Sequence, residues 1–338
     1  MSDQTNPIKV GIIGFGFMGR AHAKAYQDAQ ADGYPVSLAA IADRGIHTKV
    51  LSPHAGNIEA NQEDIDTAGI ELLEDAKAVI EHPDLDLVSI CTHTDSHVDL
   101  AIAALQAGKH VLVEKPIALR PDDVQRLADA ASQTDRLCIP AMCMRHWPAW
   151  AKIHEMIKSN THGPVRSAVF HRLGSRPVWG GKFYSDDSRT GGVLHDLHIH
   201  DTDFIIHCFD RPDSVTTTGD PLRVTTIYNY PHIPNVTAQG AWDNPPSLGF
   251  QIKCTITFEG AALDFDLNRD QQLMLHRGDE STHIETSPLT GYDQEVRFVI
   301  DQIRSKSTCK PMGEAVLVAN VLDAEQRSMA SKKPISLR

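Results

Sequence analysis

Through the first 145 residues, short apolar runs alternate with stretches whose apolar positions recur at helical spacing, the pattern of parallel βαβ units. Strands are predicted at Ile8–Ile13, Val36–Ala42, Leu87–Cys91, His110–Val113 and Leu137–Ala141. Helices are predicted over Met18–Gln30, Glu74–Glu81, His97–Gln106 and Pro121–Ser132. Residues 44–70 are polar, carry Pro53 and Gly56, and read as a loop with a helix. The pattern changes after Arg145. Trp147–Ser159 reads as a connecting helix, followed by β-rich runs at Val165–Leu173, Ser214–Thr218, Arg223–Tyr228, Ala238–Trp242, Phe250–Phe258, Ala261–Leu267 and Gln272–His276. One helix near Val193–Cys208 interrupts them, and Glu295–Ser305 and Glu314–Ala330 form a final helix pair. The expected architecture is an α/β doubly wound parallel sheet over residues 1–145. An α+β domain with a large, mostly antiparallel open sheet is expected over 146–338.

Candidate chemistry sits at the ends of the predicted strands. Gly14-Phe15-Gly16-Phe17-Met18-Gly19 fits G-x-G-x-x-G directly after an apolar strand and at the start of a helix. In that context the first glycine permits a tight turn and the second lets a pyrophosphate approach the backbone. The third brings helix and strand together, so the pattern points to a Rossmann dinucleotide site. Asp43 closes the second strand, where a carboxylate accepts ribose hydroxyls and repels a 2′-phosphate. Its neighbour Arg44 would suit that phosphate, or stack on adenine. NAD is favoured over NADP.

Val111-Leu112-Val113-Glu114-Lys115-Pro116 places Glu114 and Lys115 at the carboxyl end of a buried strand, the edge where open parallel sheets bind ligands. Together with the glycine loop, Ser96-His97-x-x-Leu100-Ala101, Ala107-Gly108-Lys109-His110-Val111, and Gly191-Gly192-Val193-Leu194-x-Asp196-x-x-x-His200-Asp201, this order of motifs resembles a known family. It is the glucose–fructose oxidoreductase / inositol dehydrogenase / rhizopine-catabolism (Gfo/Idh/MocA) family, and the resemblance covers nearly the whole chain. It implies a Rossmann domain, a C-terminal open-sheet domain, and oxidation or reduction of a sugar, cyclitol or related polyol. It also implies that His200 is the base, Asp196 its acidic partner, and Lys115 the lysine that hydrogen-bonds the reacting oxygen. Thr92, His93 and His97, with Glu114 and Lys115, would line the cofactor. His93 stands where family members often carry proline. A cis Lys115–Pro116 peptide is implied as well, and a dimer or tetramer contact through the C-terminal sheet.

Asp196 and His200 are four apart, so on a helix they share a face, and a carboxylate beside an imidazole makes an oriented base. His195 and His198 on the same segment are three apart and could meet one ion. Such a pair is more often satisfied by carbonyls or water, and no C-x-x-C or H-E-x-x-H pattern accompanies it, so no metal is expected. Arg145, Arg166, His171, Arg172 and Trp179 are substrate candidates, because cations, imidazoles and aromatics suit sugar hydroxyls.

Composition narrows the classes. Of 338 residues, 41% are hydrophobic and 22% charged, enough to build a core. The net charge of −12 speaks against a nucleic-acid partner. No apolar run approaches the roughly 20 residues of a membrane span, and the first residues lack the pattern of a secretory signal. The cysteines at 91, 138, 143, 208, 254 and 309 are scattered and read as free thiols in the cytoplasm. Two alternatives to a dehydrogenase stand. One is a glycoside hydrolase or lyase that oxidises its sugar transiently with bound NAD. The other is a non-catalytic, cofactor-sensing regulator, which would have no chemical need to keep Lys115, Asp196 and His200 together.

Overall fold

A computed structural model describes residues 6–49, 65–178, 183–308 and 311–338. They fall into two compact units, one of Met1–Cys143 with Thr290–Val316 and one of Met144–Leu289 with Leu317–Arg338. A single cut after residue 145 does not describe this grouping, because residues 290–316 return to the first unit. The helix Gly291–Arg304 buries Val296, Val299 and Ile300 in the same apolar cluster as Tyr26 and Ala29. Arg297 from that helix also lies over the ring of Tyr34 and pairs with Asp32. The sequence shows that this helix has an apolar face, but not which surface the face covers.

The first unit is built on β1 (Ile8–Ile13), β2 (Val36–Ala42), β3 (Glu71–Leu73), β4 (Leu87–Ile90), β5 (His110–Glu114) and β6 (Cys138–Ala141). Their order is β3-β2-β1-β4-β5-β6 with every pair parallel, the strand order of dinucleotide-binding sheets. Helices on both faces bury the central strands, which explains runs such as Val111-Leu112-Val113 with no polar alternation. Strand order reverses between β1 and β4, so Gly14 and Thr92 leave the sheet at its ligand-binding edge. β3 is absent from the sequence reading, since three residues are too few for a periodicity. Of the uncertain stretch 44–70, Ile46–Lys49 is helical, and residues 50–64 lie outside the described residues.

The second unit carries β7 (Val165–Leu173), β8 (Ser214–Asp220), β9 (Arg223–Asn229), β10 (Asn235–Ala241), β11 (Gln251–Phe258), β12 (Ala262–Asp266), β13 (Leu273–Arg277), β14 (Glu280–His283) and β15 (Ile335–Ser336). They form one sheet in the order β14-β13-β12-β11-β7-β10-β9-β8-β15, antiparallel except for β7 and β10. On β7 the residues alternate, with Phe170 and Arg172 inward and Val169 and His171 on the opposite face. The helix Pro148–Ser159 covers the inner face, where the Trp150 ring packs edge-on against Phe204 at 4.7 Å and Phe265 at 5.6 Å. The helix predicted near 193–208 has two parts, a π-helical turn Leu194–His198 and an α-helix Ile199–Phe209.

Candidate active site

In the first unit the three loop glycines have different reasons to be glycine. Gly14 has φ +94°, and a Cβ there would lie 2.6 Å from the Cys91 carbonyl oxygen. A Cβ on Gly19 would lie 1.9 Å from the carbonyl oxygen of Gly14. Both are imposed by the chain's own backbone. A Cβ on Gly16 would meet nothing within 4 Å. Gly16 caps the helix Phe17–Ala31 without a side-chain hydrogen bond, and the first turn holds no acidic residue. Open space at a bare helix N-terminus is what a pyrophosphate requires, so these residues fit a dinucleotide.

Asp43 follows β2. Its Oδ2 accepts the Phe15 amide at 2.9 Å and the Lys49 ammonium at 2.7 Å, and Oδ1 accepts the Gly45 amide at 2.9 Å. Burial works against the charge, but these three bonds outweigh it and hold the carboxyl below its ordinary range. The carboxylate thus ties the glycine loop to the end of β2. Lys49 was not singled out from the sequence; it lies six residues beyond Asp43 in a stretch with no clear pattern. Arg44 is exposed, and the Arg20 guanidinium lies 4.7 Å over the Phe15 ring.

At the ends of β4 and β5, several expected cofactor residues have other duties. His93 is exposed, and Thr92 Oγ1 is 2.7 Å from Ser96 Oγ. His97 is buried, with Nδ1 2.9 Å from the Pro116 carbonyl and Nε2 3.0 Å from the Thr92 carbonyl. Burial, only partly offset by those bonds, lowers its affinity for a proton. His97 therefore braces one strand-end loop against the next. Glu114 likewise turns inward: it is 4% exposed, with Oε1 3.1 Å from His22 Nε2 and Oε2 accepting the Lys115 amide at 3.0 Å. His22 Nδ1 is 3.2 Å from Ser89 Oγ, which is 3.0 Å from the Tyr26 hydroxyl. The sequence reading missed this network. Its signal was a polar pair, His22 and Tyr26, at i and i+4 on an otherwise apolar helix face. Lys115 is half-buried at the end of β5, and its peptide bond to Pro116 is cis, as the resemblance implied.

In the second unit, Asp196 lies within the π-helical turn and His200 opens the α-helix that follows, both half-buried. Wide turns of this kind occur most often at functional sites. His195 and His198 are both buried and bonded within the protein. His195 Nδ1 is 3.2 Å from the Gly191 carbonyl and His198 Nε2 is 3.1 Å from the Tyr228 hydroxyl. Burial lowers the proton affinity of His195 and takes that of His198 down to about 3, with the Arg172 charge adding to it. Among the described residues no three His, Cys, Asp or Glu side chains are arranged to hold a metal ion.

The substrate candidates separate. Arg172 is 2% exposed and bidentate to Asp201, at 2.8 and 3.2 Å. Arg145 holds Asp203 through both Nε, at 2.8 Å, and a terminal nitrogen, at 2.5 Å. Both guanidiniums pair with carboxylates on the Ile199–Phe209 helix. His171 projects from the opposite face of β7 to Arg172, so the two cannot line one wall, and Arg166 is exposed near the start of the strand. Trp179 lies outside the described residues.

Residues 8–142 match the family described as GFO/IDH/MocA, an oxidoreductase family with an NAD-binding Rossmann fold, and residues 150–269 match the C-terminal domain of the same family. Over 98% of its length the chain is 27% identical to 99% of the inositol 2-dehydrogenase of Rhizobium meliloti (strain 1021). It is 31% identical over 64% of its length to the levoglucosan dehydrogenase of Pseudarthrobacter phenanthrenivorans, spanning 55% of that protein. Among solved structures, levoglucosan dehydrogenase in complex with NADH and levoglucosan superposes with a TM-score of 0.83 at 20% identity. That match covers 98% of this chain and all of the other, and at that identity it speaks for the fold.

Proposed function

Because the chain belongs to the GFO/IDH/MocA family of NAD-binding oxidoreductases, we propose that it moves a hydride between NAD and a secondary hydroxyl of a sugar, cyclitol or related polyol. The observation that carries this reading is the open backbone at Gly16 beside an uncapped helix N-terminus, with Asp43 fixed at the neighbouring strand end. The substrate class rests on likeness across the full length to a cyclitol dehydrogenase and over part of the chain to an anhydrosugar dehydrogenase.

Bound NAD supplies the hydride acceptor. The remaining work falls to side chains. The amides of Gly16 to Gly19 would hold the pyrophosphate, and the Asp43 carboxylate would receive the adenosine ribose. His200 takes the hydroxyl proton, Asp196 orients its ring, and the Lys115 ammonium faces the oxygen as negative charge develops. Asp43 opposes a 2′-phosphate, so NAD is the expected partner. Lys49, sharing that carboxylate, and Arg44 soften the opposition. Calorimetric titration should therefore show NAD binding more tightly than NADP, and Asp43→Ala should narrow the difference.

Self-association through the outer face of the nine-stranded sheet and a cytoplasmic setting belong to the same reading. Ile227 on β9, 45% exposed on the face opposite Tyr228, supports the first; the free, buried cysteines among the described residues support the second. The deciding experiment is a panel of cyclitols and sugars incubated with NAD or NADP, with reduced cofactor followed by absorbance. Accumulation of NADH with at least one member is expected. Consumption of a sugar with no net NADH would instead favour a transiently oxidising hydrolase or lyase.

A further inference from the structure

We infer that Glu325 is a positioning residue for His200: with Tyr228 it grips the Ile199–Phe209 helix through His198 and Thr202, and so sets the direction in which His200 is presented. The inference rests on the role given to His200 above. Glu325 lies on the helix Met312–Ser331 and Tyr228 on β9, 123 and 26 residues beyond Thr202. The Tyr228 hydroxyl is 2.8 Å from Thr202 Oγ1 and 3.1 Å from His198 Nε2. Thr202 Oγ1 donates to Glu325 Oε1 at 3.3 Å, and Glu325 Oε2 is 3.5 Å from His198 Nε2. All four side chains are fully buried.

The spacing explains the consequence. His198 and Thr202 are four residues apart and share one helix face. His200, two from each, lies about 200° round the axis on the opposite face. Anchoring both flanking residues to one buried pair removes the helix's freedom to rotate. The His198 ring also sits so close to β10 that a Cβ on Gly240 would come within 3.3 Å of Nδ1. A larger residue at 240 would push the ring, and the turn with it.

Burial favours the neutral forms in this cluster, although 3.5 Å is within ion-pair range. Burial pushes the Glu325 carboxyl up to about 8 and the His198 imidazole down to about 3, and it raises the Tyr228 hydroxyl well above its ordinary value. The nearby charges are already paired or lie elsewhere. Arg172 of β7 is held by Asp201, and Asp323, from the same helix as Glu325, acts on His195. Above about 8, a carboxylate forms with no Lys or Arg among the described residues acting on it, and the grip on His198 and Thr202 changes.

The test uses the full-length protein with histidines labelled at 13Cε1 and variants Glu325→Gln, Glu325→Ala and Tyr228→Phe. The His200 signal is assigned by its loss in His200→Ala. Its titration midpoint is expected to move by roughly half a pH unit or more in Glu325→Ala and Tyr228→Phe, and to stay in place in Glu325→Gln. In turnover, Glu325→Ala should lower kcat by about tenfold with KM and NAD affinity nearly unchanged. Glu325→Gln should keep activity at neutral pH and lose the fall in kcat expected of the wild type above about 8. An unmoved His200 signal in both disruptive variants, or a basic limb retained in Glu325→Gln, would overturn the inference. If His200→Ala keeps full turnover, the proposed function fails instead, and the NMR result still decides whether Glu325 positions the helix.

Discussion

In the proposed cofactor site, Gly16 is the residue that a single methyl group tests most directly. Its φ of −84° is open to any L-residue, and a methyl group there touches nothing among the described residues. Gly16→Ala should therefore leave the melting temperature unchanged while weakening NAD binding by about tenfold or more, roughly 1.4 kcal/mol. Gly19→Ala should behave in the reverse order. Its Cβ would press on the Gly14 carbonyl, a backbone clash that costs about 1–3 kcal/mol in stability whether or not NAD is present. Thermal unfolding and calorimetric titration of the two variants separate the effects. Loss of stability in Gly16→Ala without loss of affinity would mean the glycine serves only the fold. At this scale the sequence was an uneven guide. The constraints at Gly14 and Gly19 and the carboxylate of Asp43 were legible, because a backbone constraint or a charge at a strand end leaves a local mark. The partners of Arg145, Arg172, Glu114 and His97 were not legible, since they lie 19 to 92 positions away along the chain.

Elements were legible in proportion to their length and burial. The parallel strands came through because a short apolar run between two helical segments buries all its side chains only as a central strand covered on both faces. β14 and β15, with four and two residues at the sheet edges, left no alternation to read. The split of the 194–209 helix into a π turn and an α segment was invisible too, because one inserted residue changes the backbone pairing and not the composition. The pairing of that helix with Met312–Ser331 has a measurable consequence for stability. Glu325 is raised from 4.5 to about 8 on folding, so its contribution is complete below 4.5 and is lost as the pH rises through about 8. His198 is lowered from 6.5 to about 3, so its contribution is present above 6.5 and is lost as the pH falls through about 3. The melting temperature of the wild type should therefore drop between about pH 7 and 9 more than that of Glu325→Gln. Parallel curves for the two proteins would show that Glu325 is already ionised at neutral pH.

For the molecule as a whole, the residues expected to hold NAD lie in one compact unit and the expected base and its acidic partner in the other. Among the described residues no helix is long and apolar enough to cross a membrane. Alternation and motif order were enough to anticipate a doubly wound sheet followed by a large open one, because each domain's pattern is internally consistent. The return of residues 290–316 to the first unit was not anticipated, since no local signal says which core an amphipathic helix will join. In the proposed reaction a hydride passes from the carbinol carbon to NAD while the hydroxyl proton goes to His200. This is tested most directly by the pH dependence of NADH formation, with a cyclitol or sugar substrate, in wild type and His200→Ala. The wild-type rate should fall as the pH drops through the pKa of the base, and His200→Ala should lose roughly 10²–10⁴-fold in kcat while binding NAD as before. A His200→Ala enzyme with kcat intact and only KM raised would contradict the account and move the proton to Lys115.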